Sequence, residues 1–227
     1  MRSLHRTLGP GLLRDIALVC LADGLVGMSY GAVAVSSGLA LWLPVVLSTL
    51  VLAGASELLF VGIVAAGGSP LTAVVAGLLV NARHLPFGLA VGDVTGHGWR
   101  RLLGSHVLND ESVVFALDQP DETRRHAAFW VCGLGILACW PLGTLAGVLL
   151  GTVLGDTDAL GLDTMFPAVL LALVFPSLRD PATRRAALVG VAIALATSPF
   201  LPAGLPELLA LAGLLTCLGR RKEHSAP

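Results

Sequence analysis

A few side chains interrupt long apolar runs with groups able to carry charge. Asp23, Glu57, Arg83 and His84 do so, and Asn81 stands two residues ahead of Arg83. Asp110 and Glu111 sit together in a polar segment from Asp93 to His126, beside His106 and Asn109. Gly54-Ala55-Ser56 directly precedes Glu57 in the middle of an apolar stretch. Brought together, these groups have a definite chemistry. A zwitterion held away from water needs an anionic partner for its ammonium and a donor-rich partner for its carboxylate. Glu57 or Asp23 fits the first role. Arg83, or free N–H groups at a chain break near Gly54, fits the second. A carboxylate or imidazole in such surroundings is also suited to carry a proton. The plainer alternative is that Arg83 neutralises Glu57 or Asp23 and holds helices in register. Ser56 and His84 are a conceivable nucleophile and base, but no Gly-X-Ser-X-Gly elbow accompanies them. No catalytic residue is therefore expected.

The elements that position these groups are set by composition. Charged residues make up 13% of the 227 and apolar ones 55%, with a mean hydropathy of +0.83. A soluble domain carries roughly 25% charged residues because it must clothe its surface. Lipid removes that need, so the chain reads as an all-α, polytopic membrane bundle forming a single domain over residues 1–227. The 27 glycines and 13 prolines agree, since neighbouring helices re-satisfy a broken backbone within a bilayer. No basic stripe with interleaved aromatics is present, which sets nucleic acid aside. Cys20, Cys132, Cys139 and Cys217 lie in apolar runs without CxxC spacing, so neither a disulfide nor a metal is expected. No cofactor motif is found. The basic, then apolar, start resembles a signal peptide, but no small-residue cleavage site closes it, and an uncleaved first helix is expected.

Apolar runs mark candidate spans at Ile16–Ser36, Leu39–Ala66, Leu71–Gly92, Ala127–Leu150, Phe166–Leu178, Ala186–Phe200 and Glu207–Leu218. Two are irregular. Leu39–Ala66 is too long for one straight crossing and has Gly54-Ala55-Ser56 at its centre. Phe166–Leu178 is short and contains Pro167 and Pro176. Interrupted or short spans point to a transporter's binding site; tilted helices are the bland alternative. Gly24, Gly27 and Gly31 share a helix face that admits close approach of another helix, and are a candidate docking face for a partner. No convincing internal repeat is visible.

Positive charge sets the expected orientation. Arg2, Arg6 and Arg14 place the N-terminus inside, and Arg220, Arg221 and Lys222 do the same for the C-terminus. Arg124 and Arg125 also belong inside, yet three crossings from an inside N-terminus arrive outside. An extra crossing between Arg101 and Gln119, a re-entrant element, or half-helices at Gly54 would each repair the parity. Seven or eight spans are therefore expected.

Several ordered motifs carry a resemblance. Gly24-Leu-Val-Gly-Met-Ser-Tyr-Gly31, Leu52-Ala-Gly-Ala-Ser-Glu-Leu-Leu59 and Asn81-Ala-Arg-His-Leu-Pro-Phe-Gly88 resemble the azaleucine-resistance AzlC family. So do Asn109-Asp-Glu-Ser-Val-Val-Phe-Ala-Leu117 and Gly161-Leu-Asp-Thr-Met-Phe-Pro-Ala168. The resemblance implies the large subunit of an inner-membrane exporter of valine, leucine, isoleucine and, by extension, methionine. It also implies a small AzlD-type membrane partner. The family usually has Gln after Gly-Ala-Ser, where this chain has Glu57. On this reading the substrate or coupling residues are Asp23, Gly54, Ala55, Ser56, Glu57, Asn81, Arg83, His84, Asp110 and Glu111. A non-transporting scaffold subunit is the alternative; an intramembrane hydrolase built on Ser56 and His84 is a more distant one.

Overall fold

The computed structural model describes residues 2–154, 171, 175, 177–201 and 205–218, and every element among them is helical. They are α1 (Arg2–Ser36), α2 (Trp42–Leu50), α3 (Gly54–Ala65), α4 (Pro70–Asn81), α5 (His84–Ala90), α6 (Trp99–His106), α7 (Asp110–Leu117) and α8 (Glu122–Leu154). After them come α9 (Pro181–Thr197), α10 (Leu205–Ala210) and α11 (Leu215–Leu218), with a 3-10 turn at Leu211–Leu214. Among the described residues, three helical stretches are long and apolar enough to cross a membrane: Arg6–Ser36, Pro70–Ala90 and Glu122–Val153. The expected total of seven or eight spans is not reached within the described residues. The Phe166–Leu178 span falls largely outside them, as do Gly161–Ala168, Arg220, Arg221 and Lys222.

The frame is a seam between α1 and α8. A side chain at Gly27 would lie 2.7 Å from the Trp140 carbonyl. One at Gly31 would run into the Thr144 carbonyl. From the other side, Gly143 abuts the Gly24 carbonyl and Gly147 the Met28 carbonyl. Residue numbers rise together on both helices, so α1 and α8 run parallel. Small residues on both partners let the backbones touch, and dispersion between close helices then stabilises the pair without a hydrophobic drive in lipid. The glycine face of α1 is thus filled by α8 of the same chain. It is not a free docking face for a partner, as the spacing alone had allowed.

The second candidate span is not one helix. Between α2 and α3, Leu52 adopts φ +50°, the one positive φ at a non-glycine among the described residues. That conformation strains a branched side chain by about 1–3 kcal/mol. It is held because Leu52 is buried in the core with Tyr30, Leu58 and Trp140. Gly54 follows because a Cβ there would sit 2.9 Å from Cη2 of Trp140. Gly54-Ala55-Ser56 is thus tightly packed at the start of α3, and the break falls just ahead of it, at Leu52. From Ser69, which caps α4 by accepting the Thr72 N–H at 3.1 Å, the chain returns antiparallel to α3, with Gly77 against Ser56.

The polar segment after Asp93 is folded rather than a loop. Arg125 binds Asp93 at 3.1 Å, and Trp130 donates its indole N–H to the Val94 carbonyl at 3.0 Å, so the end of α5 lies beside the start of α8. Val107, Val113 and Ala116 pack with Phe129 of α8. At the far end of the chain, α9 and the Leu205–Leu218 segment form an antiparallel pair. Gly190 faces the Ala210 carbonyl, and Arg185 donates to the Thr216 carbonyl at 2.7 Å.

Candidate functional site

The break before α3 creates an enclosed polar site. Helix starts leave backbone N–H groups without partners. Here Glu57 turns back on its own helix, and its Oε1 accepts the Ala53 N–H at 2.9 Å. Its Oε2 accepts the indole N–H of Trp140 from α8 at 3.2 Å. Ser56 donates its hydroxyl to the Ala53 carbonyl at 2.8 Å. Glu57 is only 2% exposed. A buried carboxylate with donors on both oxygens is far less costly than a bare one. Tyr30 of α1 stacks on Trp140 with ring centroids 5.8 Å apart. Its hydroxyl approaches the Glu57 carboxylate without completing a hydrogen bond.

A cavity of about 140 Å³ opens beside Glu57, between α2, α3 and α4. Its apolar wall includes Leu47, Val51, Phe60 and Leu78, and Ser56, Glu57 and Asn81 supply its polar side. Asn81 Oδ1 is buried and has no partner. Ligand pockets usually begin near roughly 300 Å³, so this one suits a small solute or a single aliphatic side chain.

The remaining predicted residues fall into a second group. Arg83 pairs with Asp110 at 2.8 Å, not with Glu57. The reason is the turn at Ala82-Arg83 between α4 and α5, which carries Arg83 past the cavity to the start of α7. Arg83 therefore neutralises neither Glu57 nor Asp23 by direct contact. Asp23 of α1 lies in electrostatic range of Glu111 and Asp110, so it belongs to this second group too. His84 contacts the Asn81 carbonyl through Nδ1 at 3.0 Å and meets the edge of Phe87. Ser56 and His84 thus engage different partners, and the nucleophile–base pairing that a hydrolase needs is not made.

Sequence reasoning missed Trp140 and Tyr30, the two side chains that enclose Glu57. A tryptophan far from the ends of an apolar run was the available signal, because membrane tryptophans normally collect at the interfaces. It also missed Ser112. Asn109 accepts the Ser112 N–H at 2.8 Å, and the Ser112 hydroxyl accepts the Asn109 N–H at 3.0 Å, a reciprocal cap on α7.

Apolar helices, a filled glycine seam and a polar pocket at a helix break define a helical membrane protein. The family AzlC protein matches residues 18–154, well over half of the chain, and the chain belongs to that family. A Bacillus subtilis relative, the branched-chain amino acid transport protein AzlC, is 25% identical over 207 residues, covering 88% of this chain and 81% of its own. An uncharacterized membrane protein of Helicobacter pylori is 26% identical over 174 residues, 75% of each chain. No solved structure is a significant match.

Proposed function

We propose that this chain exports branched-chain amino acids across the inner membrane, as the large subunit of a two-component permease with a small AzlD-type partner. One observation carries the reading: the Glu57 pocket at the α2–α3 break, with a free buried acceptor at Asn81 and an aliphatic wall. Discontinuous helices with a polar lining are where transporters bind small solutes. The B. subtilis relative's name supplies the solute class. The solute's ammonium meets Asn81 Oδ1 and the Glu57 carboxylate, and its side chain lies along Leu47, Val51 and Phe60. The termini are cytoplasmic, in line with the N-terminal arginines. No nucleotide-binding motif is present, so the solute's own gradient or an ion gradient drives the step.

The test is efflux of valine, leucine, isoleucine and methionine from cells expressing this chain with and without the small subunit. Faster loss of these four than of alanine or lysine is expected, and full rates are expected only with both subunits. Equal loss from cells lacking the chain would defeat the proposal.

A further inference from the structure

Two pairs of short helices in this chain share a construction. In the first, α2 leads to the break at Val51–Ala53, and α3 leads away. In the second, α6 leads to a break at Val107–Asn109, and α7 leads away. The tips carry the same residues at the same offsets: Val51-Leu52 then Ser56, and Val107-Leu108 then Ser112. Both residues that open the outgoing helices have nearly the same φ, −140° at Ala53 and −139° at Asn109. In both, the serine three residues on donates its hydroxyl back to that residue's carbonyl, at 2.8 Å and 3.1 Å. The tips also touch: His106 Nε2 lies 2.9 Å from the carbonyl oxygen of Thr49.

The contacts fix the direction of every arm. The α1–α8 seam gives a common scale, with Cys20 level with Cys132 and Ala32 level with Gly151. On that scale Gly54 and Glu57 lie beside Trp140, near the middle of α8. α4 runs from Pro70 past Ser56, and α5 continues it to Ala90, whose carbonyl faces Arg125 near the start of α8. The link between α3 and α4 therefore lies at the opposite end, the end where α1 stops. α2 starts at that same end, after the turn in which Leu39 N–H binds the Ala34 carbonyl. So α2 comes down to the middle and α3 goes back up. At the other end, His97, Trp99 and Arg100 share a cleft with His126 and Trp130. α6 rises from there to Val107, which packs on Gly133, and α7 returns to Glu122.

We infer that α2–α3 and α6–α7 are two re-entrant hairpins that enter the bilayer from opposite faces, as an inverted pair whose tips meet at mid-depth beside Glu57. Arm length agrees. Helices of 9 and 12 residues, and of 8 and 8, are about 12–18 Å long, against a hydrocarbon core of about 30 Å. Charge agrees as well. No Lys or Arg occurs between Arg14 and Arg83, whereas Arg100, Arg101, Arg124 and Arg125 cluster at the end where α8 begins, which is the cytoplasmic signature. Trp42 and Trp99 open the two hairpins, are 63% and 70% exposed, and sit at opposite ends, as interfacial anchors do. This arrangement also removes the parity conflict in the positive charges. From an inside N-terminus, α1, then α4–α5, then α8 cross, and Arg124 and Arg125 remain inside.

Single cysteines test the arrangement without reference to which solute moves. Ala40, Ala66, His97 and Glu122 are each replaced by Cys. Labelling by a membrane-impermeant maleimide is compared in intact and permeabilised cells, with the unsubstituted chain as the blank. Ala40→Cys and Ala66→Cys are expected on one face, and His97→Cys and Glu122→Cys on the other. Labelling of Ala40→Cys and Ala66→Cys from opposite faces would mean that α2–α3 crosses the bilayer, and would overturn the inference. Residues 97 and 122 on opposite faces would overturn it for α6–α7. Because only relative sides are compared, a reversed overall orientation leaves the expected pattern unchanged.

Discussion

Replacing Glu57 by Gln changes one atom and isolates the role of its two accepted hydrogen bonds. The carboxylate offers an acceptor to the Ala53 N–H and another to the Trp140 indole N–H. An amide offers one acceptor and one donor group. Whichever way the substituted amide turns, its NH2 faces one of two buried N–H donors. A buried donor left unmatched costs about 1–3 kcal/mol, so Glu57→Gln is expected to destabilise the chain by that amount. Trp140→Phe removes the competing donor. In the Glu57→Gln background the amide oxygen then serves Ala53 and its NH2 meets no donor. The double variant should accordingly lose less than the sum of the singles, by roughly 0.5–3 kcal/mol. Unfolding in mixed micelles measures all four species, and valine efflux is followed in parallel. Because the bond from Trp140 replaces any pairing with Arg83, Arg83→Gln should show no such coupling to Glu57→Gln. Additive effects of Glu57→Gln and Trp140→Phe would refute the reasoning, as would coupling of Glu57 to Arg83 in place of Trp140.

Other expectations follow from single contacts. Gly147→Val places a side chain against the Met28 carbonyl in the α1–α8 seam; folded protein recovered in detergent should fall sharply, whereas Gly11→Ala, near the start of α1 with open space around it, should be mild. His106→Leu removes the contact between hairpin tips and should lower transport more than it lowers membrane abundance, read by efflux and immunoblot together. Asp180 caps α9 by accepting the Thr183 N–H at 2.7 Å, and that bond holds its carboxyl below the usual range. A depressed folded-state pKa contributes stability at neutral pH that is lost as pH falls below about 4. Protection of the amides at the start of α9, their exchange rate set against that of an unstructured peptide at the same pH, should therefore fall under acid, and should be low at all pH values in Asp180→Ala.

Much of the architecture was legible in the residues, and the limits have physical causes. Low charge and high hydropathy dictate helices, because lipid leaves no other partner for the backbone of a short span. The excess length of Leu39–Ala66 and its Gly54-Ala55-Ser56 cluster pointed to a break, which falls just ahead of that cluster at Leu52. Glycine spacing on α1 correctly announced a close helix contact. It did not say with which helix, since any small-residue face would serve, and the partner proved to be the Gly143–Gly147–Gly151 face of α8. The pairing of Glu57 with Arg83 failed for a similar reason. Opposite charges on adjacent helices invite pairing, but an indole N–H and a backbone N–H satisfied the carboxylate locally, leaving Arg83 for Asp110. The twin tips escaped notice because they share only a Val-Leu pair and one serine, too little to register as a repeat. Their kinship lies in the backbone bonds those serines make.

The central claim is that the α2–α3 break is where a branched-chain amino acid leaves the cell, and Gly54→Leu tests it most directly. Its side chain would collide with Trp140 and displace the indole that holds the Glu57 carboxylate beside the pocket, while both helices keep their apolar length. Cells loaded with valine from a valine-containing dipeptide, and expressing the chain with its small partner, are followed for internal valine. Membrane levels of the two forms are matched. The account predicts rapid loss of valine with the unsubstituted chain and retention with Gly54→Leu. Equal loss with both forms, or equal retention with both, would contradict it.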